Sequence, residues 1–342
     1  MKGILRGIAI AGTVTISVLG GELQAQEVRS FSAWCEERNS LEPQTQKTIE
    51  VMLRRAETTD CAAAEAQLQD TTDLNLSAQG LTDLRPLASL TQLTRLDLSL
   101  NDLSDLSPLS QLRNLEELLL SHNQISDVSP LAGLNLRKLN LDRNQVQDIS
   151  ALEGKVSLEV LFLNDNQIEY VEPLRDLVNL KTLFLNNNKI ETISALNGLV
   201  NLRTLSLNEN KIEDIEPLLP LTEMYELHLD NNKIVDLEGL QQMESLNELY
   251  LNGNDIVDIS PLAALTNLTE LYIRDNEIRN IHILPQMSSL NWVDFQNNDI
   301  SDISPIATMK TLVRAIFVEN PVESGTCPIN PSSICQFEAE RS

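Results

Sequence analysis

The sequence predicts an α/β solenoid with one long parallel sheet, and three observations predict it. First, an asparagine returns every 22 residues, at Asn101, Asn123, Asn144, Asn166, Asn188, Asn210, Asn232, Asn254, Asn276, Asn298 and Asn320, with one shorter step between Asn123 and Asn144. Gln79 holds the same place one turn earlier. Second, each asparagine closes a run of the form L-x-x-L-x-L-x-x-N, as in Leu268-Thr-Glu-Leu271-Tyr-Ile273-Arg-Asp-Asn276. Third, the rest of the turn reads N-x-I-x-D-I-S-P-L-A-x-L, with Ile256, Ile259, Leu262 and Leu265 three residues apart. A fixed period of this length marks one structural unit repeated, each copy burying its apolar edge against its neighbours.

Taken in chain order, residues 1–25 read as a signal peptide. Lys2 and Arg6 give a positive start, Ile8 to Leu19 is apolar but short for a bilayer span, and Leu23-Gln24-Ala25 serves as the cleavage signal. An uncleaved membrane anchor is the alternative. Cleavage removes Lys2, Arg6 and Glu22, a net +1, so the whole-chain charge of −25 becomes −26. Residues 26–70 leave the repeat and form a helical N-terminal cap. Pro43 suits a first helical position, Ile49, Met52, Leu53 and Ala56 follow at helical spacing, and Asp60 reads as an N-cap.

Residues 71–320 make about twelve turns. Each L-x-L segment alternates as a strand, so Leu271 and Ile273 point inward while Tyr272 and Arg274 point outward. Strands repeated in one direction make a parallel concave sheet. The three-residue step of the second half suits a 3₁₀ path on the convex side. Each asparagine lies where the chain leaves the strand, and its amide can donate to and accept from backbone groups with no ladder partner. Residues 321–342 form the C-terminal cap, where Pro321, Pro328 and Pro331 stop the repeat. Cys35, Cys61, Cys327 and Cys335 all lie outside the repeats. In an exported chain they read as disulfides, and proximity favours Cys35–Cys61 and Cys327–Cys335. A metal site is the rival reading, but no C-x-x-C spacing or neighbouring histidine supports one.

The D-I-S-P-L-A-x-L segment at Asp258 to Leu265, nearly repeated at Asp302 to Met309, together with the asparagine runs, resembles the repeats of leucine-rich repeat proteins of the bacterial internalin class. The resemblance covers roughly residues 71–320. It implies a leucine-rich repeat horseshoe and an exported protein that binds other proteins, often on the concave face. The chain departs from several members in its capping cysteines and in lacking an immunoglobulin-like C-terminal region and wall anchor. Host-cell invasion is therefore not carried over.

The net charge of −25 argues against nucleic acid and against an anionic membrane surface. The mature chain is expected to be a monomer that does not insert into membranes. Catalysis is not expected. His122 and His228 are five turns apart, about 25 Å at strand spacing, and His282 lies on the convex path. No phosphate loop or zinc motif occurs, and no cofactor or metal is implied.

The outward columns carry the functional signal. Of the chain's twelve aromatics, Phe162, Phe184, Tyr225, Tyr250, Tyr272 and Trp292 fall in three outward columns. Chance places between one and two there. Exposed Tyr and Trp are common anchors of protein interfaces, whereas simple strand preference does not explain placement on the outward side. His228 lies in the same stripe. Asp230, Glu248 and Glu270 belong to a surrounding acidic rim, with Asp142, Asp165, Glu209, Glu226, Asp275 and Asp294. An aromatic centre with an acidic rim fits a partner protein carrying apolar groups set among Lys or Arg. The rim's other reading is a solvated surface that keeps the protein soluble. Glycan or cell-wall polysaccharide stacking on the same rings is the alternative function. Lys155 occupies a place where most turns have Leu or Met, and is expected to snorkel out through the convex side.

Overall fold

The computed structural model describes residues 14–19, 22–323 and 325–338. Most of the proposed leader before Val14, and residues 324 and 339–342 of the proposed C-terminal cap, lie outside the described residues. Val14–Leu19 and Glu22–Glu27 pair antiparallel as a two-stranded sheet of their own.

The main sheet contains thirteen strands among the described residues, in strict chain order from Asp73–Asn75 to Cys335–Gln336. Neighbouring strands are parallel, and pairs such as Leu249↔Leu271 stand one turn apart. The strands are short because only the L-x-L core of each turn is extended. In Glu270–Tyr272, for example, Leu271 is buried between two outward side chains. This is the expected horseshoe. The core is a continuous stack in which Leu96, Leu118, Leu139 and their successors are fully buried. Each such leucine contributes about 2 kcal/mol relative to exposure.

The asparagines hold the turns together. Asn188 donates from Nδ2 to the carbonyls of Leu185 in its own turn and Leu163 in the turn before, both at 3.0 Å. Its Oδ1 accepts the Ile168 N–H at 3.0 Å. Asn101, Asn144, Asn210 and Asn254 make the same set. The preceding residue turns the chain by adopting a left-handed backbone, at φ 59° in Leu100 and 55° in Glu209. Gly253, at φ 63°, places there the residue that tolerates this conformation best.

On the convex wall, 3₁₀ turns such as Ser260–Ala264 begin at the serine of the D-I-S-P segments. The aspartate starts each turn: Asp258 Oδ1 accepts the Ser260 N–H at 2.8 Å, and Asp302 does the same for Ser304. These bonds to serine hold both carboxyls below the usual carboxylate range.

Three helices cover the first turn: α1 (Phe31–Glu36), α2 (Pro43–Arg55) and α3 (Cys61–Gln69). Pro43 opens α2, and Asp60 caps α3 by accepting the Ala63 N–H at 2.8 Å. Ile49 and Met52 of α2 are fully buried. The helices are anchored to the repeat through Asp83, which accepts from Thr45 Oγ1 at 2.5 Å and pairs with Arg85 at 2.8 Å. Thr48 Oγ1 donates to the Asp83 carbonyl at 2.6 Å. The Arg29 and Arg85 guanidiniums lie over the Trp34 ring, 4.3 and 5.3 Å from its centroid. The cysteines pair as Cys35–Cys61 and Cys327–Cys335. At the C-terminal end, Phe295, Phe317 and Phe337 stack in succession.

Lys155 corrects one expectation. It does not snorkel out but is buried, 7% exposed, with Nζ donating to the carbonyls of Ala132 at 2.9 Å and Leu134 at 2.6 Å. Both carbonyls lie just before the place where the short turn loses a residue, between Leu134 and Asn135, and the amine supplies each with a donor. Burial alone lowers its pKa. Below 10.5 there is then a window in which the unfolded chain holds the proton and the folded chain does not. Stability attributable to this residue therefore rises with pH through that window. Lys155→Met should lose about 2 kcal/mol by stranding two carbonyls. The deficit, measured by urea unfolding at pH 7.5 and pH 10, should widen at the higher pH. A deficit that narrows would contradict the buried-amine account.

Candidate functional site

The concave wall positions outward side chains in columns about 4.8 Å apart, because successive parallel strands stand in register. Three successive turns carry the triplets Glu226-Leu-His228, Glu248-Leu-Tyr250 and Glu270-Leu-Tyr272. The rings stack face to face: His228 on Tyr250 at 4.2 Å and 9°, and Tyr250 on Tyr272 at 4.6 Å and 4°. Each ring is tied by its tip to the glutamate two residues earlier. Tyr250 Oη donates to Glu248 Oε2 at 3.0 Å, Tyr272 Oη donates to Glu270 Oε2 at 2.7 Å, and His228 Nε2 lies 2.6 Å from Glu226 Oε1.

These contacts have electrostatic consequences. Burial, reinforced by the bond to Glu270, pushes the Tyr272 hydroxyl up to about 12, and burial with Glu248 raises Tyr250 as well. Both phenols stay neutral donors. The stacked glutamates repel one another, and each tyrosine hydroxyl offsets part of that cost by a charge-assisted bond. The result is a rigid, amphipathic ridge.

The structure divides the predicted stripe. Phe162 and Phe184 meet edge to face at 5.2 Å and form a separate pair. Ser206 interrupts the column. It is buried, and its Oγ donates to Asn186 Oδ1 at 2.6 Å. Tyr225 lies one column over, 51% exposed, with its hydroxyl 3.1 Å from Asn247 Oδ1. Trp292 takes the place after Glu270 in the glutamate column. Asp230 has a structural partner: its Oδ1 accepts the Asn252 N–H at 2.7 Å. It belongs to a second ladder at the strand exit, where Asp142, Asn164, Asn186, Asn208 and Asp230 each accept from the backbone one turn on. Burial raises the Asp142 and Asp230 carboxyls despite these bonds.

Sequence reasoning missed the pairing of each ring with its glutamate, and it left Glu226 out of the core of the site. The signal was the E-L-[HY] triplet recurring in three consecutive turns. A polar recess of about 470 Å³ beside the sheet is lined by residues including Arg137, Glu159 and Lys181. There Glu159 takes Lys181 at 2.6 Å and Arg137 at 2.7 Å, bonds that hold its carboxyl near 2. The charges are satisfied within the recess. Among the described residues no group of three His, Cys, Asp or Glu side chains converges as a metal site. No helix among them is long and apolar enough to cross a membrane.

Comparison with known proteins places these features in a wider set. A family model described as leucine rich repeats (2 copies) matches residues 113–154, 156–198, 200–242 and 244–286, and a second leucine rich repeat model matches 89–106. The crystal structure of an internalin, InlF, from Listeria monocytogenes is similar at 31% identity and a TM-score of 0.77, over 82% of this chain and 86% of that one. A leucine-rich repeat protein from Leptospira interrogans is similar at 25% identity and a TM-score of 0.67, over 76% of each chain. The functional domain of InlJ from Listeria monocytogenes shares the fold at 21% identity and a TM-score of 0.65, over 86% of this chain and 72% of that one. No curated protein matches the sequence.

Proposed function

Because the chain belongs to the leucine-rich repeat family, in its bacterial internalin-like class, we propose that it is an exported protein that binds a partner protein on its concave face. Proteins of this type are interaction modules. The carrying observation is the His228–Tyr250–Tyr272 ridge, three rings stacked on the concave wall with their polar tips fixed by glutamates. Rigid aromatics lose little entropy when a partner covers them, and such residues dominate interface energetics. Phe162, Phe184, Tyr225 and Trp292 extend the contact surface on either side, and Glu248 and Glu270 give it negative character. The partner surface that fits is apolar with interspersed cations. The two disulfides agree with an oxidising, extracytoplasmic location. No covalent chemistry is assigned to the face.

The test removes the ridge. A partner captured from the extracytoplasmic fraction is purified, and its affinity for the native chain and for the Tyr250→Ala/Tyr272→Ala variant is measured. Both residues are outward, so the fold should survive, checked by circular dichroism. Each truncation should cost about 2 kcal/mol, and the pair should weaken binding by roughly 100-fold or more. An unchanged affinity would sink the reading.

A further inference from the structure

The ring stack ends abruptly. The residue in register with Tyr272 on the next strand is Asp294, and the one after that is Ile316. A carboxylate thus stands where the next ring would stack. Tyr272 and Ile316 are two strands apart, about 9.6 Å, with the shorter Asp294 side chain between them in the column. Asp294 lies between these two walls, with 8% of its surface exposed, and Oδ1 turns back to accept the Gln296 N–H at 3.0 Å. Among the described residues it forms no ion pair. Arg274 is near enough to act on it through space, yet its guanidinium lies 3.9 Å from Asp275 and is half exposed. Arg314, on the following strand, is bonded to Gln336.

The opposite end of the stack differs. There His228 faces Ser206, whose hydroxyl is committed to Asn186. The glutamates along the ridge are likewise committed, to the ring tips. Asp294 is therefore a buried carboxylate in register with Tyr272 that forms no ion pair among the described residues. A face of π electrons and a buried carboxylate both favour the same kind of group, a flat cation able to stack and to donate in a fork.

We propose that the slot between Tyr272 and Ile316 receives an arginine side chain of the partner, its guanidinium stacked on Tyr272 and paired with Asp294. This rests on the concave face being the partner's seat. It adds a defined contact that fixes where along the ridge the partner is placed.

The probe is N-acetyl-arginine amide, titrated into the full ¹⁵N-labelled chain. The sequence has two tryptophans, Trp34 and Trp292. Two indole N–H signals therefore report separately on the helical cap and on the slot, and Trp292→Phe assigns them. A saturable millimolar shift of the Trp292 signal is expected, with Trp34 unmoved. The uncharged isostere N-acetyl-citrulline amide should give none, and Asp294→Asn should weaken the arginine probe at least 10-fold. Asparagine keeps an oxygen for the Gln296 N–H, so the variant should fold, checked by its melting curve. No saturable shift, an equal response to citrulline, or undiminished binding by Asp294→Asn would overturn the slot. If the probe fails while the captured partner depends on Tyr250 and Tyr272, the slot alone is wrong. If the probe binds as expected but the partner ignores both tyrosines, the face is not the partner's seat, and the slot's assignment to that partner falls with it.

Discussion

Asn188→Ala is expected to lower stability by about 4 kcal/mol, although it deletes no apolar contact of note. The side chain is buried, and its amide serves the Leu163, Leu185 and Ile168 backbone groups at 3.0 Å, with Asn186 O at 3.2 Å as a fourth partner. Alanine leaves those groups without a partner in a core of leucine. Each unmade buried bond costs about 1–3 kcal/mol, and partial entry of water lowers the sum below the simple total. The effect reaches beyond one turn, because Asn188 ties its own turn to the one before and solenoid stability is carried by neighbour contacts. Urea unfolding followed by circular dichroism should show an earlier and broader transition. Asn187→Gly is the control: Asn187 is exposed at φ 51°, which glycine tolerates, and the change should stay within about 0.5 kcal/mol. If Asn188→Ala stayed as close to the native chain, the ladder would not be what couples the turns.

That ladder was legible because its period is a property of the chain. Once Asn188 and Asn210 share a register position, the column of every other residue follows, and so do the parallel sheet and the outward placement of Tyr250 and Tyr272. What a period does not contain is a rotamer. Glu248 and Tyr250 are known from spacing to share a face, but whether the hydroxyl turns toward the carboxylate depends on the stacking of Tyr250 between His228 and Tyr272. The same limit explains Asp230. Its position on the outward side reads as rim, while its carboxylate bends back to the Asn252 N–H. Lys155 failed for a related reason. It was expected to snorkel out, yet in the shortened turn the Ala132 and Leu134 carbonyls accept from its amine. Deletions change the demand for hydrogen bonds locally, and a residue that breaks the apolar pattern one turn later was the visible sign.

Gly239→Ala should cost about 3 kcal/mol or more, and it should also weaken partner binding from the opposite wall of the molecule. Gly239 lies in the one stretch, between the strands Glu226–His228 and Glu248–Tyr250, where no 3₁₀ helix forms among the described residues. The turn instead presses onto its predecessor. A Cβ at this position would stand 2.4 Å from the Ile215 carbonyl oxygen and 2.8 Å from its carbon. Both are backbone atoms in a close-packed core, so no side chain can swing away and the two turns must part. Gly133 provides the contrast, since a Cβ there meets nothing within 4 Å, and Gly133→Ala should be neutral or slightly stabilising. The two strands that flank the Gly239 turn also carry His228 and Tyr250, whose rings stack at 4.2 Å. Spreading the convex side at that point changes the relative tilt of those strands, and a stack of this kind tolerates little. Chemical unfolding measures the first effect. Binding of the captured partner at a temperature where the variant remains folded measures the second, expected as roughly a 10-fold loss. Equal stability of the Gly239→Ala and Gly133→Ala variants would remove the steric argument. Full binding by a destabilised Gly239→Ala chain would instead show that the ridge does not depend on the spacing of the turns beneath it.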